Sequence, residues 1–472
     1  MRFLDRQAEM VRLQTLMQRP EGGLAVVWGR RRIGKTRLLL EWCSQCDGLY
    51  TVADQSAPEV QRAYLAQALA ARFPGFDSAS YPDWPSLLQR ITHEARVQSW
   101  RGPLVFDEFP YLAAVSPELA SQIQRWIDRE VRESQLVVAL AGSSQRMMQG
   151  LVLDKAAPLY GRASELIEVG PLPAVYMGKG LKITNAVDCV RTYAVWGGVP
   201  RYWELAEPFG NDLDQAIDRC VLDPLGPLHR EPDRLLLEEL PSAVALRPVL
   251  DVIGMGVHRM SEIAGRLGKP ATSLTHTLAR LVDLGLIYRQ QPFGASEKSG
   301  KRSLYKIADP FFRCWFRLVA PNRALLTQCP ARTRLTLWHR QQENLFAETW
   351  EELCRRCITH LDTGSSPLAQ YGPWKPGARY WRGNEPECDI VAESVSGQAL
   401  LLGEAKWSGN EISKAKAEQS IQACMAKGVP AHLSAGRRRI VYGLFVPQTS
   451  FRDTELHGAC IVNARDVTTS LR

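Results

Sequence analysis

The octapeptide GRRRIGKT, residues 29–36, constrains this chain more than any other stretch. It fits the pattern G-x-x-x-x-G-K-[ST], with the apolar run LAVVW (24–28) before it and the helical stretch RLLLEW (37–42) after it. Gly29 and Gly34 let the backbone curl so that its N–H groups face phosphate oxygens. The helix that follows presents its positive end to the same place. Lys35 can reach the β- and γ-phosphates of a nucleotide, and Thr36 can place its hydroxyl on Mg²⁺. The expected nucleotide-binding residues are therefore Gly29, Gly34, Lys35, Thr36 and Arg37, with ATP and Mg²⁺ as cofactors.

PLVFDEF (103–109) supplies the second half of such a site. Asp107 ends an apolar strand, where a carboxylate can hold the Mg²⁺ shell. Glu108 beside it can polarise a water for attack on the γ-phosphate, although an acidic pair at a strand end also suits a solvated turn. LAGSSQRMM (140–148) ends the next strand with Ser143 and Ser144. Either serine can sense the γ-phosphate or the attacking water, or simply cap the helix that follows.

The rest of the chain falls into blocks. At 472 residues it is too long for one core, so about two to four domains are expected. From 22 to 172, apolar strands (24–28, 48–53, 103–108, 136–142 and 165–172) alternate with helices. Fully apolar strands in that alternation imply a parallel sheet with helices on both faces. Residues 181–242 read as mostly helical, interrupted by WGGVP (196–200). Between 243 and 330 the order is helix, turn, helix, β-hairpin, which is that of a winged helix. Leu274, Leu278, Leu281 and Val282 form the apolar face of its second helix. The polar side carries Thr272, Ser273, Thr275, His276 and Arg280, and the wing carries Lys298, Lys301 and Arg302. These suit phosphate contacts and a few base contacts, but such a unit also serves as a packing module. Residues 331–472 are helical first and strand-rich later.

No run of eighteen apolar residues occurs, and MRFLDRQAEM lacks the apolar core of a secretion signal, so a cytoplasmic protein without membrane contact is expected. A net charge of +8 has the sign for nucleic-acid binding without deciding it. Cys43/Cys46 and Cys354/Cys357 have CxxC spacing but sit in helical segments, where free thiols are the simpler reading; one shared zinc site would need distant segments to meet.

Several stretches together carry a resemblance. FLDRQAEMVRL (3–13), the GRRRIGKT loop, LVFDEF, LAGSSQRMM, PLYGRASELIEVGPL (158–172) and YAVWGGVPRYWEL (193–205) resemble the archaeal-type ATPase family, a P-loop group related to the AAA+ and STAND ATPases. The resemblance implies a P-loop ATPase core of the ASCE type at 1–180, a helical lid at 181–242, a winged helix at 243–330 and a nuclease-like domain at 331–472. It also implies that Arg162 lies near the γ-phosphate, like an arginine finger, and that segment 3–13 lies near the base; the residues themselves leave Arg162 equally suited to a surface salt bridge.

LLLGEAKW (400–407) then poses a problem, because an apolar strand carries Glu404 and Lys406 on one face. Buried charge costs several kcal/mol unless paired or ligated. Upstream, ECDIVAE (387–393) and the turn SVSG (394–397) make a hairpin with it. A four-residue loop pairs Glu393 with Gln398 and sets Asp389 opposite Leu402, diagonal to Glu404. Asp followed by Glu-x-Lys resembles the core of the PD-(D/E)XK nucleases, of restriction-endonuclease-like α/β fold. There the two carboxylates hold Mg²⁺ and the lysine positions the attacking water. Glu351 matches the upstream acidic position of that family, with Glu352 as a substitute. The site is read as a metal-dependent phosphodiesterase centre, intact or vestigial, against an ordinary Glu–Lys pair on an edge strand. Arg437, Arg438 and Arg439 form a basic run that suits either phosphate or solvent. The chain therefore reads as an ATP-driven switch acting on DNA, alone or as an oligomer or with a partner protein. The alternatives are a non-enzymatic regulator that uses ATP as a conformational ligand and a nuclease whose P-loop is structural.

Overall fold

The computed structural model describes residues 3–143, 145–239, 246–296, 300, 302–361, 366–434 and 438–471. Ser144, Lys298, Lys301 and Arg437 lie outside the described residues. The chain divides into two compact units. One runs to Leu172 and also takes in Val199–Arg201; the other comprises Pro173–Gly198 and the chain from Tyr202 onward. The three blocks expected after the P-loop core thus lie almost wholly in one larger unit.

The first unit is built on five parallel strands, β1 (Gly23–Trp28), β2 (Leu49–Val52), β3 (Leu104–Asp107), β4 (Val137–Gly142) and β5 (Glu165–Glu168). Their order is β2-β3-β4-β1-β5, so β4 separates the strand feeding the glycine-rich loop from the strand ending in Asp107. The apolar runs follow from this position. Leu24 and Val26 join a core with Phe73, Trp84, Ile91, Phe106, Trp126 and Leu140. Ala25 and Val27 point the other way and are equally buried, as are Leu13, Leu16, Leu38 and Trp42 of the helices Gln7–Gln18 and Lys35–Gln45. Burying each large side chain contributes about 1.5–3 kcal/mol, which commits both faces of the sheet to helices.

In the second unit, helices Arg247–Gly254, Met260–Arg266 and Thr275–Asp283 precede the antiparallel pair β6 (Ile287–Gln290) and β7 (Leu304–Ile307). Leu274, Leu278 and Leu281 are buried, as the apolar spacing requires. Arg259 adds a bridge to Leu304 on the outer side of β7. Thr272 and Ser273 sit in a 3-10 turn, Ala271–Leu274, ahead of the helix expected to include them. Asp309 caps the following helix, Pro310–Leu318, by accepting from the N–H groups of Phe311 and Phe312.

The long helix Ala331–Cys357 holds this unit together. Glu348 lies within ion-pair range of Lys306 on β7 (3.5 Å) and of Arg317 (3.0 Å), while Glu352 accepts from Arg313 at 2.6 Å. Arg313 is only 3% exposed, so this is a buried ionic cluster that fixes the helix against its neighbours. Further along, Trp350 and Leu353 are buried, and Trp350 Nε1 donates to the carbonyl of Phe445.

That carbonyl belongs to a six-stranded mixed sheet: β8 (Ala378–Tyr380), β9 (Cys388–Glu393), β10 (Ala399–Ala405), β11 (Arg439–Phe445), β12 (Glu455–Leu456) and β13 (Ala459–Val462), ordered β12-β13-β11-β10-β9-β8. β8, β9 and β10 form an antiparallel meander, and β11 runs parallel to β10 after the helix Lys414–Ala426. The hairpin register differs from the one expected. Glu393 pairs with Leu400 and Ile390 with Gly403, a shift of two residues. The loop still has four residues but moves one residue along, to 395–398, because Ser394 N–H closes onto the carbonyl of Ala399 and a turn with Gly397 in the left-handed region fills the interior. Continued by one residue, this register sets Asp389 opposite Glu404. An even slip preserves the face, so the two carboxylates come closer than the four-residue loop implied. No described helix is long and apolar enough to cross a membrane.

Candidate functional site

The glycine-rich loop takes the shape its glycines allow. Gly29 (φ +150°) passes so near β5 that a Cβ there would lie 2.4 Å from the carbonyl oxygen of Val169. Gly34 has φ +98°, and Lys35 starts the helix that follows. Lys35 Nζ donates to the carbonyls of Gly29 (2.8 Å) and Arg30 (3.1 Å), which places a buried ammonium inside the loop. Arg37, two residues on, is exposed.

Asp107 is 2% exposed and its carboxylate is fully engaged. It accepts from Thr36 Oγ1 (2.9 Å), from the Tyr50 hydroxyl (2.6 Å) and from the N–H of Glu108 (2.9 Å). Burial, then the neighbouring carboxylate, pushes the Tyr50 hydroxyl well above its ordinary pKa, so it stays a donor. Glu108 adopts a left-handed backbone (φ 53°), unusual for a residue with a side chain. Its carboxylate is held by Ser143, through the hydroxyl at 2.5 Å and the N–H at 3.3 Å. Ser143, expected to face the γ-phosphate or the attacking water or to cap a helix, here bonds Glu108.

Two further residues frame this loop. Arg6 is buried and donates to the carbonyls of Ile33 (3.0 Å) and Gly170 (2.7 Å), tying segment 3–13 to the loop itself. Pro200 lies 3.7 Å from where a Cβ on Gly34 would stand. GGVPRY entered the family resemblance, and nothing in its spacing says that Pro200 would lie here. Arg162 is engaged elsewhere: Nε donates to Asp128 (3.1 Å) and Nη1 to the carbonyl of Tyr160.

The second candidate site lies on the mixed sheet. Glu404 is 8% exposed and is clamped by two ammonium groups, Lys406 Nζ on Oε1 (2.7 Å) and Lys427 Nζ on Oε2 (2.8 Å). Burial alone would raise its pKa, but the two lysines outweigh this and hold it below the usual carboxylate range. Asp389 is helped less by cations, chiefly by Arg379 at longer range. Its Oδ2 accepts from the N–H of Ala405 (3.1 Å), and burial, with Glu351 and Glu404 nearby, pushes its pKa up to about 6. Glu351 is paired with Arg355 (3.3 Å), which also donates to the carbonyl of Asp389 (3.1 Å). Glu352, the substitute acidic residue, accepts from Arg313 at 2.6 Å. Lys406 is fixed by its own N–H bonding to Phe445 O, and the next residue, Trp407, donates to Glu343.

Among the described residues, no group of three or more His, Cys, Asp or Glu side chains is arranged to hold a metal ion. Both sites nevertheless offer the oxygen set that suits Mg²⁺, which takes one or two carboxylates and completes its shell with phosphate and water. In the first unit the donors are Thr36 and Asp107, already 2.9 Å apart. In the second they are Asp389 and Glu404, facing each other across the hairpin.

The expected DNA-facing residues are on the surface where described. Thr272, Ser273, His276 and Arg302 are exposed and Arg280 is half-buried; Ser273 Oγ also donates to the carbonyl of Pro270. Arg259, Arg266 and Lys269 are exposed beside them. Residues 243–330 hold thirteen Lys and Arg against five Asp and Glu, a surplus equal to the net charge of the whole chain. Lys306, Arg313 and Arg317 point into the buried cluster, so without them the segment keeps ten Lys and Arg against five Asp and Glu, a surplus of five.

Residues 3–205 match a family described as an ATPase domain predominantly from Archaea. Residues 315–419 match a second, described as archaeal and bacterial proteins of unknown function. An uncharacterized protein of Methanocaldococcus jannaschii is 28% identical over 406 residues, covering 86% of this chain and 87% of that protein. Among solved structures, a Walker-type ATPase of Pyrococcus abyssi is similar with a TM-score of 0.53 and 19% identity, over 67% of this chain and 96% of that one. The ORC2 protein of Aeropyrum pernix, solved as ADPNP and ADP complexes, aligns with a TM-score of 0.44 and 14% identity, over 73% and 94%.

Proposed function

With an ATPase-domain sequence at 3–205 and the fold of a Walker-type ATPase as premises, we propose that this protein is an ATP-hydrolysing switch that acts on DNA. On this reading its 243–330 segment is a winged helix and its mixed sheet is a PD-(D/E)XK nuclease-like domain. One observation carries the ATPase half: Asp107 is bonded to Thr36 while Glu108, turned by its left-handed backbone, is held by Ser143. Mg²⁺ would be held by Thr36 and Asp107, and it would supply charge neutralisation of the phosphates when bound. Lys35 binds the β- and γ-phosphates, Glu108 accepts the proton of the attacking water, and Ser143 releases Glu108 to do so. Arg37 and Arg162 are proposed contacts of the nucleotide, Arg162 after leaving Asp128.

The DNA half is supported by the basic surplus of the winged-helix segment and by Asp389, Glu404 and Lys406 converging on one face of a β-meander. Thr272, Ser273, His276, Arg280 and Arg302 are the proposed phosphate and base contacts. A second reading, DNA or protein binding by a vestigial nuclease domain under ATP control, is favoured by the two lysines that already satisfy Glu404.

The deciding experiment incubates the protein with Mg²⁺ and assorted DNAs, with and without ATP, and follows nicking and phosphate release together. Cleavage is the expected result; phosphate release with binding but no cleavage of any DNA selects the second reading. DNA affinity should fall with salt with a slope near −0.9 per phosphate neutralised, a roughly tenfold or greater loss per threefold salt for several contacts. Salt-insensitive binding, or none at low salt, leaves the winged helix as a packing module.

A further inference from the structure

The motif on β10 accounts for one lysine, Lys406, yet Glu404 carries two. The second, Lys427, comes from far along the chain. It caps the helix Lys414–Ala426, whose start is fixed by the Ser413 side chain and whose end is followed by Gly428 in the left-handed region. A lysine at a helix C-terminus is favoured there by the carbonyls it meets, but this one turns its Nζ to Glu404, 2.8 Å away. It keeps 39% of its side chain exposed, as Lys406 keeps 51%, while Glu404 below them is 10% exposed. Both ammonium groups therefore stand between a buried carboxylate and solvent, on the side from which a substrate must come.

Charge explains why one carboxylate would be given two cations. With Glu351 set against Arg355, two carboxylates remain, Asp389 and Glu404, and they match a divalent cation in charge. Lys406 and Lys427 are then both in excess, with a total of about two positive charges. A phosphodiester attacked by hydroxide carries about two negative charges on its non-bridging oxygens at the transition state, which is what preorganised donors stabilise. A lysine whose only task were to neutralise Glu404 would be redundant beside Lys406.

We propose that Lys427 is a second phosphate-binding lysine of this site, donating to a non-bridging oxygen of a DNA phosphodiester while Lys406 serves the attacking water. The inference rests on the nuclease-like reading above. It assigns a substrate contact to the helix after β10, where the sequence motif places none.

The test uses the full-length protein, a 30-base-pair duplex and the corresponding single strand. Lys427→Ala and Lys427→Arg are compared with wild type in Mg²⁺-dependent nicking, in ATP turnover, and in DNA binding measured over a salt series with Ca²⁺ in place of Mg²⁺, so that a cation occupies Glu404 and frees the lysine. The expected result is a loss of about 10²–10³ in kcat for Lys427→Ala, the range for removing one transition-state donor, with partial recovery in Lys427→Arg and unchanged ATP turnover. In Ca²⁺, the salt slope of binding should shrink by about 0.9, one phosphate contact. Wild-type cleavage with an unaltered Lys427→Ala overturns the inference and leaves the nuclease reading standing. No cleavage by wild type overturns the nuclease reading; the Ca²⁺ slope then decides Lys427 alone, and a slope equal to wild type removes it as a phosphate contact.

Discussion

The two carboxylate centres of this chain are held in opposite ways. Asp107 is bonded by neutral donors: a threonine hydroxyl, a tyrosine hydroxyl and a backbone N–H. Glu404 is bonded by two ammonium groups. Neutral donors orient a carboxylate and leave its charge to be offered to a cation. Ammonium groups neutralise it, so a cation must displace them first. On the proposed reading a cation at the P-loop centre takes only Thr36 from Asp107 and leaves two neutral donors in place, whereas at the sheet centre it has to displace both clamps of Glu404. The centres differ in origin too. The first takes five of its residues from one contiguous loop and helix start, while the second is assembled from β9, β10 and the ends of two helices.

The largest expected effect separates the two chemistries. Asp389→Ala and Glu404→Ala should each reduce DNA cleavage on the order of 10⁴–10⁶-fold, and the double variant should lose little more, as for residues that act as a unit. Lys406→Ala should bind metal and fail to cut. ATP turnover should persist in all of them. The comparison also predicts an order in Mg²⁺: phosphate release should saturate at lower Mg²⁺ than cleavage, because Lys406 and Lys427 first have to leave Glu404. Equal Mg²⁺ midpoints, read from both products in one reaction, would break the contrast.

Next comes the P-loop centre alone. Lys35→Ala should abolish tight nucleotide binding. Glu108→Gln should retain binding and lose hydrolysis by about 10²–10⁴-fold, the usual weight of a general base. Equal turnover in wild type and Glu108→Gln would remove Glu108 from its role and leave the Ser143 contact without a catalytic meaning.

These differences track what was legible in the sequence. GRRRIGKT and LVFDEF could be read because their chemistry is local: each spans one turn, and its flanking apolar runs declare the strand. β1 to β5 fall within a few residues of the expected runs for the same reason. The hairpin was legible in face but not in register. A four-residue turn is correct in length but sits one residue further along, with Ser394 closing onto Ala399, and only the even size of the resulting register shift keeps Asp389 and Glu404 together. Lys427 left no trace, because a helix separates it from Lys406 and nothing in spacing says where a helix end will land. Tyr50 read as an ordinary strand residue. The cations that Glu351 and Glu352 meet, Arg355 and Arg313, are likewise set by the fold and not by local spacing. The inclusion of Val199–Arg201 with the first unit is also a tertiary fact.

A smaller effect concerns stability. Glu348 is the common partner of Lys306 and Arg317, with Arg313 at the edge of range, and burial notwithstanding, these cations hold its pKa far below the usual range. Glu348→Gln leaves buried cations short of charge, which should cost about 3–5 kcal/mol. In urea unfolding the transition of the second unit should move to lower denaturant, while nucleotide affinity of the first unit should hold. A shift in both, or in neither, would show that the ionic cluster does not act within the unit that contains it.

The smallest effect tests whether neutral donors matter at the P-loop centre. Tyr50→Phe removes one hydroxyl from Asp107 and leaves the bonds from Thr36 and from Glu108 N–H. A hydrogen bond to a charged acceptor contributes about 1.5–3 kcal/mol when lost outright. Here the aspartate keeps two donors, and Thr36 is the one a bound Mg²⁺ would take away from it. Tyr50 is then needed most when the metal is present, to stop Asp107 from turning. The expected outcome is a several-fold fall in kcat for ATP hydrolysis and a higher Mg²⁺ midpoint, with nucleotide affinity in EDTA unchanged, since the proposed phosphate contact is Lys35, which bonds the carbonyls of Gly29 and Arg30. Tyr50 also lines a cleft of about 430 Å³ with Val52, Tyr64 and Trp84, so the phenyl ring should keep its packing and the fold should not suffer. An unchanged Mg²⁺ midpoint would mean that Asp107 is oriented by its backbone alone, and the contrast between neutral and charged clamps would then rest on Thr36.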